Sequence, residues 1–247
     1  MRRDHLWSCV VALAMMVVVV STVQAQSSGI AFSSDRSAAD DTEPEIWKMG
    51  DEGEIPPESP AVEMTEQEYE SHNPSIANNG YTMFYDYRDT ELWMADFNSP
   101  GNAERLSFNA WDPDSLTLPS IGGPRERLLF TSNDFDPFDS STQIWMVEVD
   151  VDDQSIDGPW ILMTPHEPGN EHSDKRQAAF CGSNHFVWVK DTSYGGGLCY
   201  QEFISGGPVG DEKCELVGTD DGGLVDEYPS CNPAGTEIAW ARETGYK

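Results

Sequence analysis

Basic residues are scarce in this chain of 247 residues: 14 Lys and Arg stand against 44 Asp and Glu, a formal net charge of −30. The acids are spread along the chain rather than gathered in one tail. Such a surface repels polyanions, so neither nucleic acid nor an anionic membrane is expected as a partner. It suits a salty exterior, and it leaves cations or basic proteins as partners. No run beyond the N-terminus is apolar enough to span a bilayer, so no membrane span is expected there. No window of useful length shows a clean helical period with caps. Catalytic signatures are missing as well: there is no G-x-S-x-G elbow and no phosphate-binding Walker loop.

The first residues, MRRDH, are basic, and an apolar run, LWSCVVALAMMVVVV, leads to STVQA. A charged start, an apolar middle shorter than the ~20 residues of a spanning helix, and a V-x-A site make a cleaved secretory signal over 1–25. Cys9 lies mid-run with no small-residue lipobox before it, which argues against a lipoprotein. The mature protein, 26–247, is expected in the periplasm or outside the cell. Its length suits one all-β domain.

Turns rich in Gly, Asn, Pro and Asp bound short apolar runs, the pattern of β-strands. These runs repeat. TELWMAD at 90–96 returns as TQIWMVE at 142–148, and an Ile-Trp pair stands earlier at Ile46-Trp47. Apolar residues closing on an aromatic recur at Phe32, Phe84, Phe130, Trp188 and Trp240. A third motif precedes them: NPSIANNG from Asn73, LPSIGG from Leu118, a drifted AAFCGSN from Ala178, and YPSCNPAG from Tyr228. Short strands ending near Thr or Ser close each period, as in AVEMT (61–65), ERLSF (104–108) and WILMT (160–164). Several strands per period of roughly 40–60 residues predict a β-propeller of four-stranded blades. Blades are expected at 29–65, 74–108, 119–164 and 178–217, with a partial one at 229–247. The repeated Trp residues are read as packing between blades rather than as ligand contacts.

IAFSSDR at 30–36, EIWKMG at 45–50 and YPSCNPAGTEIAW at 228–240 resemble the TolB-type propeller repeat. In that repeat a Pro-Ser-Trp-Ser-Pro-Asp-Gly stretch is followed by Ile-Ala-Phe-x-Ser-Asp-Arg, an Ile-Tyr-x-Met-Asp-like strand and a Leu-Thr end. Here Cys231 stands where the family often has Trp, and Ala234 where it has Asp. The resemblance runs from Gly29 to the C-terminus and implies a six-bladed ring when complete. It also implies one of several roles, since such propellers serve as periplasmic scaffolds, as peptidase gating domains and in some sugar-acid lyases. The N-terminal α/β domain of TolB is not expected, because the first blade motif follows the signal directly. The first blade starts at its second strand, near Ile30, and the fifth has only its first two. An incomplete ring of four to five blades is therefore expected; the rival is a closed four-bladed ring in which 229–232 pairs with 30–33.

Few residues suggest chemistry. HEPGNEH at 166–172 brings two His and a Glu together, but Pro168 and Gly169 forbid the helix that a zinc-protease motif needs. His166, Glu171 and His172 are kept as ligand-binding candidates on a loop between blades. The alternate acids of DVDDQSIDG give Asp150 and Asp152 as metal candidates, although the Gly and Glu of a calcium loop are missing. Asp134 and Asp136 in SNDFDPFD are similar candidates, with Asp139 nearby. No cofactor is expected, with Ca2+ the one ion that these acids would admit. Cys181, Cys199, Cys214 and Cys231 all lie late in the chain, and four cysteines in an exported protein allow three pairings. Cys199–Cys214 is favoured because both fall on neighbouring strands joined by ISGGPVG, and Cys181–Cys231 because both fall in first strands of consecutive blades.

The leading expectation is a monomeric, exported, non-enzymatic propeller that binds a protein or small ligand on a loop face or in the central channel. The alternative is a propeller domain of a hydrolase or lyase whose catalytic part lies beyond residue 247.

Overall fold

The structure is a computed structural model. It describes residues 30–34, 45–49, 62–63, 71–77, 82–87, 91–96, 99–116, 125–133, 141–164, 173–192, 195–204, 206–215, 225–232 and 234–243. The signal-peptide expectation lies outside these residues. Among them, no helix is long and apolar enough to cross a membrane.

The described residues form antiparallel sheets in chain order. The first holds β1 (Ile30–Ser34), β2 (Glu45–Met49) and β3 (Val62–Glu63). The second holds β4 (Ser71–Ile76), β5 (Thr82–Tyr87), β6 (Glu91–Asp96) and β7 (Ser99–Phe108). In the third, β8 (Ala110–Leu116), β9 (Arg125–Ser132) and β10 (Gln143–Asp150) are followed by two short strands, β11 (Ser155–Ile156) and β12 (Ile161–Leu162), both paired with β10. The fourth holds β13 (Lys175–Cys181), β14 (His185–Thr192), β15 (Gly195–Ile204) and β16 (Gly207–Glu215). The last is the pair β17 (Val225–Cys231) and β18 (Ile238–Glu243). This is the expected all-β architecture of successive blades.

The blades stack face to face, and strand geometry sets what each residue touches. Side chains alternate across a strand, so a central strand packed on both faces is apolar at most positions rather than at every second one. Strand β5 is buried throughout, and β9 nearly so. On β6, Trp93 packs back against the first sheet, with Tyr85, Tyr87 and Ile46, while Leu92 and Met94 face forward to the third. On β10 the same division holds: Trp145 faces back to Phe84 and Leu92, while Ile144 and Met146 face forward to Phe186 and Trp188. TELWMAD and TQIWMVE are thus one strand written twice, because each blade presents the same two faces to its neighbours.

Two sequence expectations need correction. The aromatic of the second period is Tyr85, not Phe84. Tyr85 pairs with Trp93 as Phe130 pairs with Trp145 and Phe32 with Trp47, whereas Phe84 pairs with Met94 and faces the next blade. The innermost strand of the third sheet is AWDPDSL at 110–116, not the stretch from Leu118. Pro113 occupies there the place that Pro74 holds in β4, and LPSIGG lies outside the described residues.

The rival closed ring is not supported: β1 pairs with β2, and β17 with β18, in separate sheets. The arrangement is compatible with an incomplete ring.

Several polar groups pair across the interface between the third and fourth sheets. The buried Lys175 Nζ donates to Gln143 Oε1 (2.9 Å), which also accepts from Thr164 Oγ1 (3.1 Å). Asp174 Oδ1 accepts from the Thr142 N–H (2.9 Å). The fourth and last sheets meet through two turns. At Gly235 (φ +66°) an added Cβ would lie 2.8 Å from the Cys181 carbonyl carbon and the Gly182 nitrogen. Gly235→Ala therefore combines left-handed strain, of order 1–3 kcal/mol, with an overlap that only backbone movement relieves. The expected result is a lower urea midpoint and faster amide exchange over 225–243. Wild-type exchange in that segment would show that the two turns do not pack.

Candidate functional site

The innermost strands carry a shared irregularity. Registers slip between His72 and Ser75 on β4, Trp111 and Asp114 on β8, Arg176 and Ala179 on β13, and Glu227 and Ser230 on β17. Each slip is a β-bulge, a device that re-aims side chains and interrupts pairing. Three bulges contain a residue with left-handed backbone: Asn73 (φ 48°), Gln177 (φ 52°) and Tyr228 (φ 52°). Asn tolerates this conformation, while an aromatic there is an outlier. The next position is Pro74, Pro113, Ala178 or Pro229 in the four strands. Proline fits a bulge because it has no N–H to leave unpaired.

Together the bulges line one cavity of about 240 Å³, walled by Asn73–Ser75, Pro113, Gln177–Ala179 and Tyr228–Ser230. No carboxylate, imidazole or ammonium group lines it among the described residues. Its walls are held from behind. Asn73 Nδ2 donates to Asp86 Oδ2 (2.7 Å). The Tyr228 N–H donates to Gln177 Oε1 (2.9 Å). Arg176 donates from Nε to Asp191 Oδ2 (2.9 Å) and from Nη1 to Glu227 Oε1 (3.0 Å), which ties β13 to β17. Burial of that guanidinium lowers its pKa, but hydrogen bonds and charge from Asp191, then Glu227, outweigh burial and the net direction is upward. Arg176 therefore stays cationic at any working pH.

Two disulfides are present, in the pairs favoured from the sequence. Cys199–Cys214 joins directly opposed residues of β15 and β16. Cys181–Cys231 joins β13 to β17, with Cα atoms 5.1 Å apart. Glu212 lies near the first pair, so Cys199, Glu212 and Cys214 have the spacing of a metal-ligand set. The sulfurs bond to each other, however, and Glu212 forms an ion pair with Lys190.

Of the other residues singled out from the sequence, His166, Glu171, His172, Asp134 and Asp136 lie outside the described residues. Asp150 ends β10, and its Oδ1 accepts from the backbone N–H groups of Asp152 and Asp153 (both 3.1 Å), so it shapes the turn that follows. The exposed Asp152 lies in that turn. Sequence reasoning quoted the Pro-Ser motif as a strand marker and missed that its neighbours line a cavity. The available signal was Asn73-Pro74-Ser75 recurring as Tyr228-Pro229-Ser230 ahead of an aromatic strand.

No protein-family model matches the sequence, and no curated protein matches it. Solved structures do. TolB from Acinetobacter baumannii superposes with a TM-score of 0.54 at 14% identity, over 86% of this chain and 46% of that one. A protein assigned as TolB from Agrobacterium tumefaciens gives 0.55 at 14% identity, over 88% of this chain and 71% of that one. The chain thus spans about half the length of the first of these. At such identity the likeness concerns architecture alone. With its sheets in sequential order and its innermost strands around one cavity, this chain has the fold of a TolB-type β-propeller.

Proposed function

We propose that the protein is an exported, non-enzymatic propeller that binds a protein segment or small ligand in the cavity between its innermost strands. The observation that carries this reading is the convergence of the bulges of β4, β8, β13 and β17 on one cavity. Among the described residues, the lining offers hydrogen-bonding side chains and apolar walls and no acid–base pair, which suits recognition more than bond breaking. Export is supported by the N-terminal apolar run and by the two disulfides. The net charge of −30 favours a basic surface on any protein partner.

The test is a thermal-shift screen of a broad ligand set against the wild type and Ser230→Trp. Ser230 is exposed at the cavity wall, so the indole fills the space without disturbing the core. Ligands that raise the wild-type midpoint should lose their effect in the variant. Stabilisation that survives the filled cavity would place binding elsewhere, and turnover of a hit would make the protein an enzyme.

A further inference from the structure

We propose that Cys199, Cys214 and Glu212 form a redox-gated zinc site, closed while the two sulfurs are joined and opened by a dithiol reductant. The site is independent of the cavity, which other residues line. The sulfurs of Cys199 and Cys214 and a carboxylate oxygen of Glu212 all lie within 4.8 Å of one another. Two thiolates and a carboxylate oxygen are a donor set that suits Zn2+, with a water completing four-coordination.

Of the two disulfides, this one does least for the fold. Cys181–Cys231 ties separate sheets together. Cys199–Cys214 joins strands that the ladder already holds, with Leu198 opposite Glu215 and Tyr200 opposite Lys213. Breaking it therefore leaves the frame of the site standing. The two Cα atoms are 4.0 Å apart. Tetrahedral zinc with Zn–S bonds of ~2.3 Å holds its two sulfurs ~3.8 Å apart. Side-chain rotation provides that separation without moving the strands. β16 is the edge strand of its sheet and Cys214 is half-buried, so a reductant reaches the bond from that side.

The surrounding charges fit a bound dication. Three anionic ligands on Zn2+ leave one negative charge to balance. The buried Lys190 forms an ion pair with Glu212. Lys190 stands opposite Gly197, two residues before Cys199, while Glu212 stands two residues before Cys214 on the antiparallel strand. The ion pair thus bridges the row of the two cysteines and brings the balancing ammonium beside the metal. Glu212 need not release Lys190, because a carboxylate has two oxygens and about four lone-pair sites. Without a metal, the ionised reduced site would crowd three anions against one ammonium.

In the gating step a dithiol gives two electrons and two protons to the S–S bond and ends as its own disulfide. Zn2+ then displaces one proton from each thiol and binds the two thiolates.

The full chain should be reduced with dithiothreitol, desalted without oxygen and titrated with Cd2+, a probe for the same ligands. The thiolate-to-cadmium charge-transfer band reports sulfur ligation, so surface carboxylates stay silent. The wild type and Cys181→Ser with Cys231→Ser should both show the band after reduction, with a Kd of about 1 μM or tighter, and Zn2+ should displace the probe. The oxidised wild type should show none. Adding Cys214→Ala to the serine pair should abolish the band, and adding Glu212→Gln should weaken binding at least about tenfold. No band in either reduced protein overturns the inference, as does a band that survives Cys214→Ala or a Glu212→Gln protein that binds as tightly as its parent. Circular dichroism follows the fold throughout. If the serine pair fails to fold, Cys214→Ala and Glu212→Gln in the wild-type background decide. A band that appears only as the β signal is lost also overturns the inference, because the ligands would then have no frame.

Discussion

Trp188→Ala is expected to destabilise the protein by about 3–5 kcal/mol, the range for removing a buried aromatic. Trp188 is fully buried on β14 and lies between the third and fourth sheets, with Leu129, Met146, Phe186 and Phe203 in the same cluster. It stacks on Phe186 with centroids 4.7 Å apart and planes at 19°. The surrounding side chains come from strands of two blades, so neither blade can collapse alone into the space an alanine leaves. Part of the loss is offset, because the indole Nε1 is buried without a hydrogen-bond partner, and such a group costs about 1–3 kcal/mol. Trp188→Phe removes that donor and keeps most of the ring, so it should cost clearly less than alanine. The pair of variants is read by urea denaturation. Equal costs would mean that the indole contributes little packing.

Trp188 also shows why so much of the fold was legible. Both faces of a central strand are buried in a propeller, so a blade repeats bulky apolar residues at a nearly fixed spacing. The repeat named the architecture, the blade order and the third strands. The same physics hid the register. A one-residue slip exchanges the two faces of a strand, and alternation is the usual guide to register. In Met83-Phe84-Tyr85 every position is apolar because every position is buried, so nothing in the composition distinguishes Phe84 from Tyr85. Only the pairing of Tyr85 with Trp93 does. The third inner strand was misplaced for a related reason. Pro-Asp at 113–114 stands where Pro-Ser does at 74–75, while the Pro-Ser pair at 119–120 lies outside the described residues.

The cavity was less legible than the fold. Its members are ordinary residues (Asn, Gln, Ser, Pro, Tyr) that acquire meaning only when bulges from separate blades converge. Sequence motifs draw attention to titratable clusters such as His166 and His172, because those residue types carry recognisable chemistry. The described residues of the cavity carry no such mark. Its unusual backbone, with Gln177 and Tyr228 in the left-handed region, is a property of the fold and not of the letters.

Replacing both Cys181 and Cys231 with serine should open the last sheet before the rest of the molecule. The bond closes a stretch with a sequence separation of 50, for which loop entropy alone gives about 4 kcal/mol. The local effect should exceed what the global figure suggests, because the apolar side chains of β18 are poorly covered. Ile238 is 39% and Trp240 42% exposed, although their counterparts Phe186 and Trp188 on β14 are fully buried. Among the described residues, the contacts left include the Arg176–Glu227 pair, the Gln177–Tyr228 hydrogen bond, the packing of Gly235 on Gly182 and the approach of β17 to β13, β14 and β15. Opening a weakly packed unit below the global transition is the usual behaviour of such a segment. Amide exchange over 225–243 should therefore approach that of an open chain while 125–164 stays protected. Cys199→Ser with Cys214→Ser is the control, since that bond spans a separation of only 15 within one blade, and it should leave 225–243 unchanged. Tyr228, Pro229 and Ser230 form one wall of the cavity. Ligand binding should consequently fall with the first pair of substitutions and survive the second. Full protection of 225–243 without Cys181–Cys231 would mean that side-chain packing, not the cross-link, fixes the wall on which Tyr228 stands.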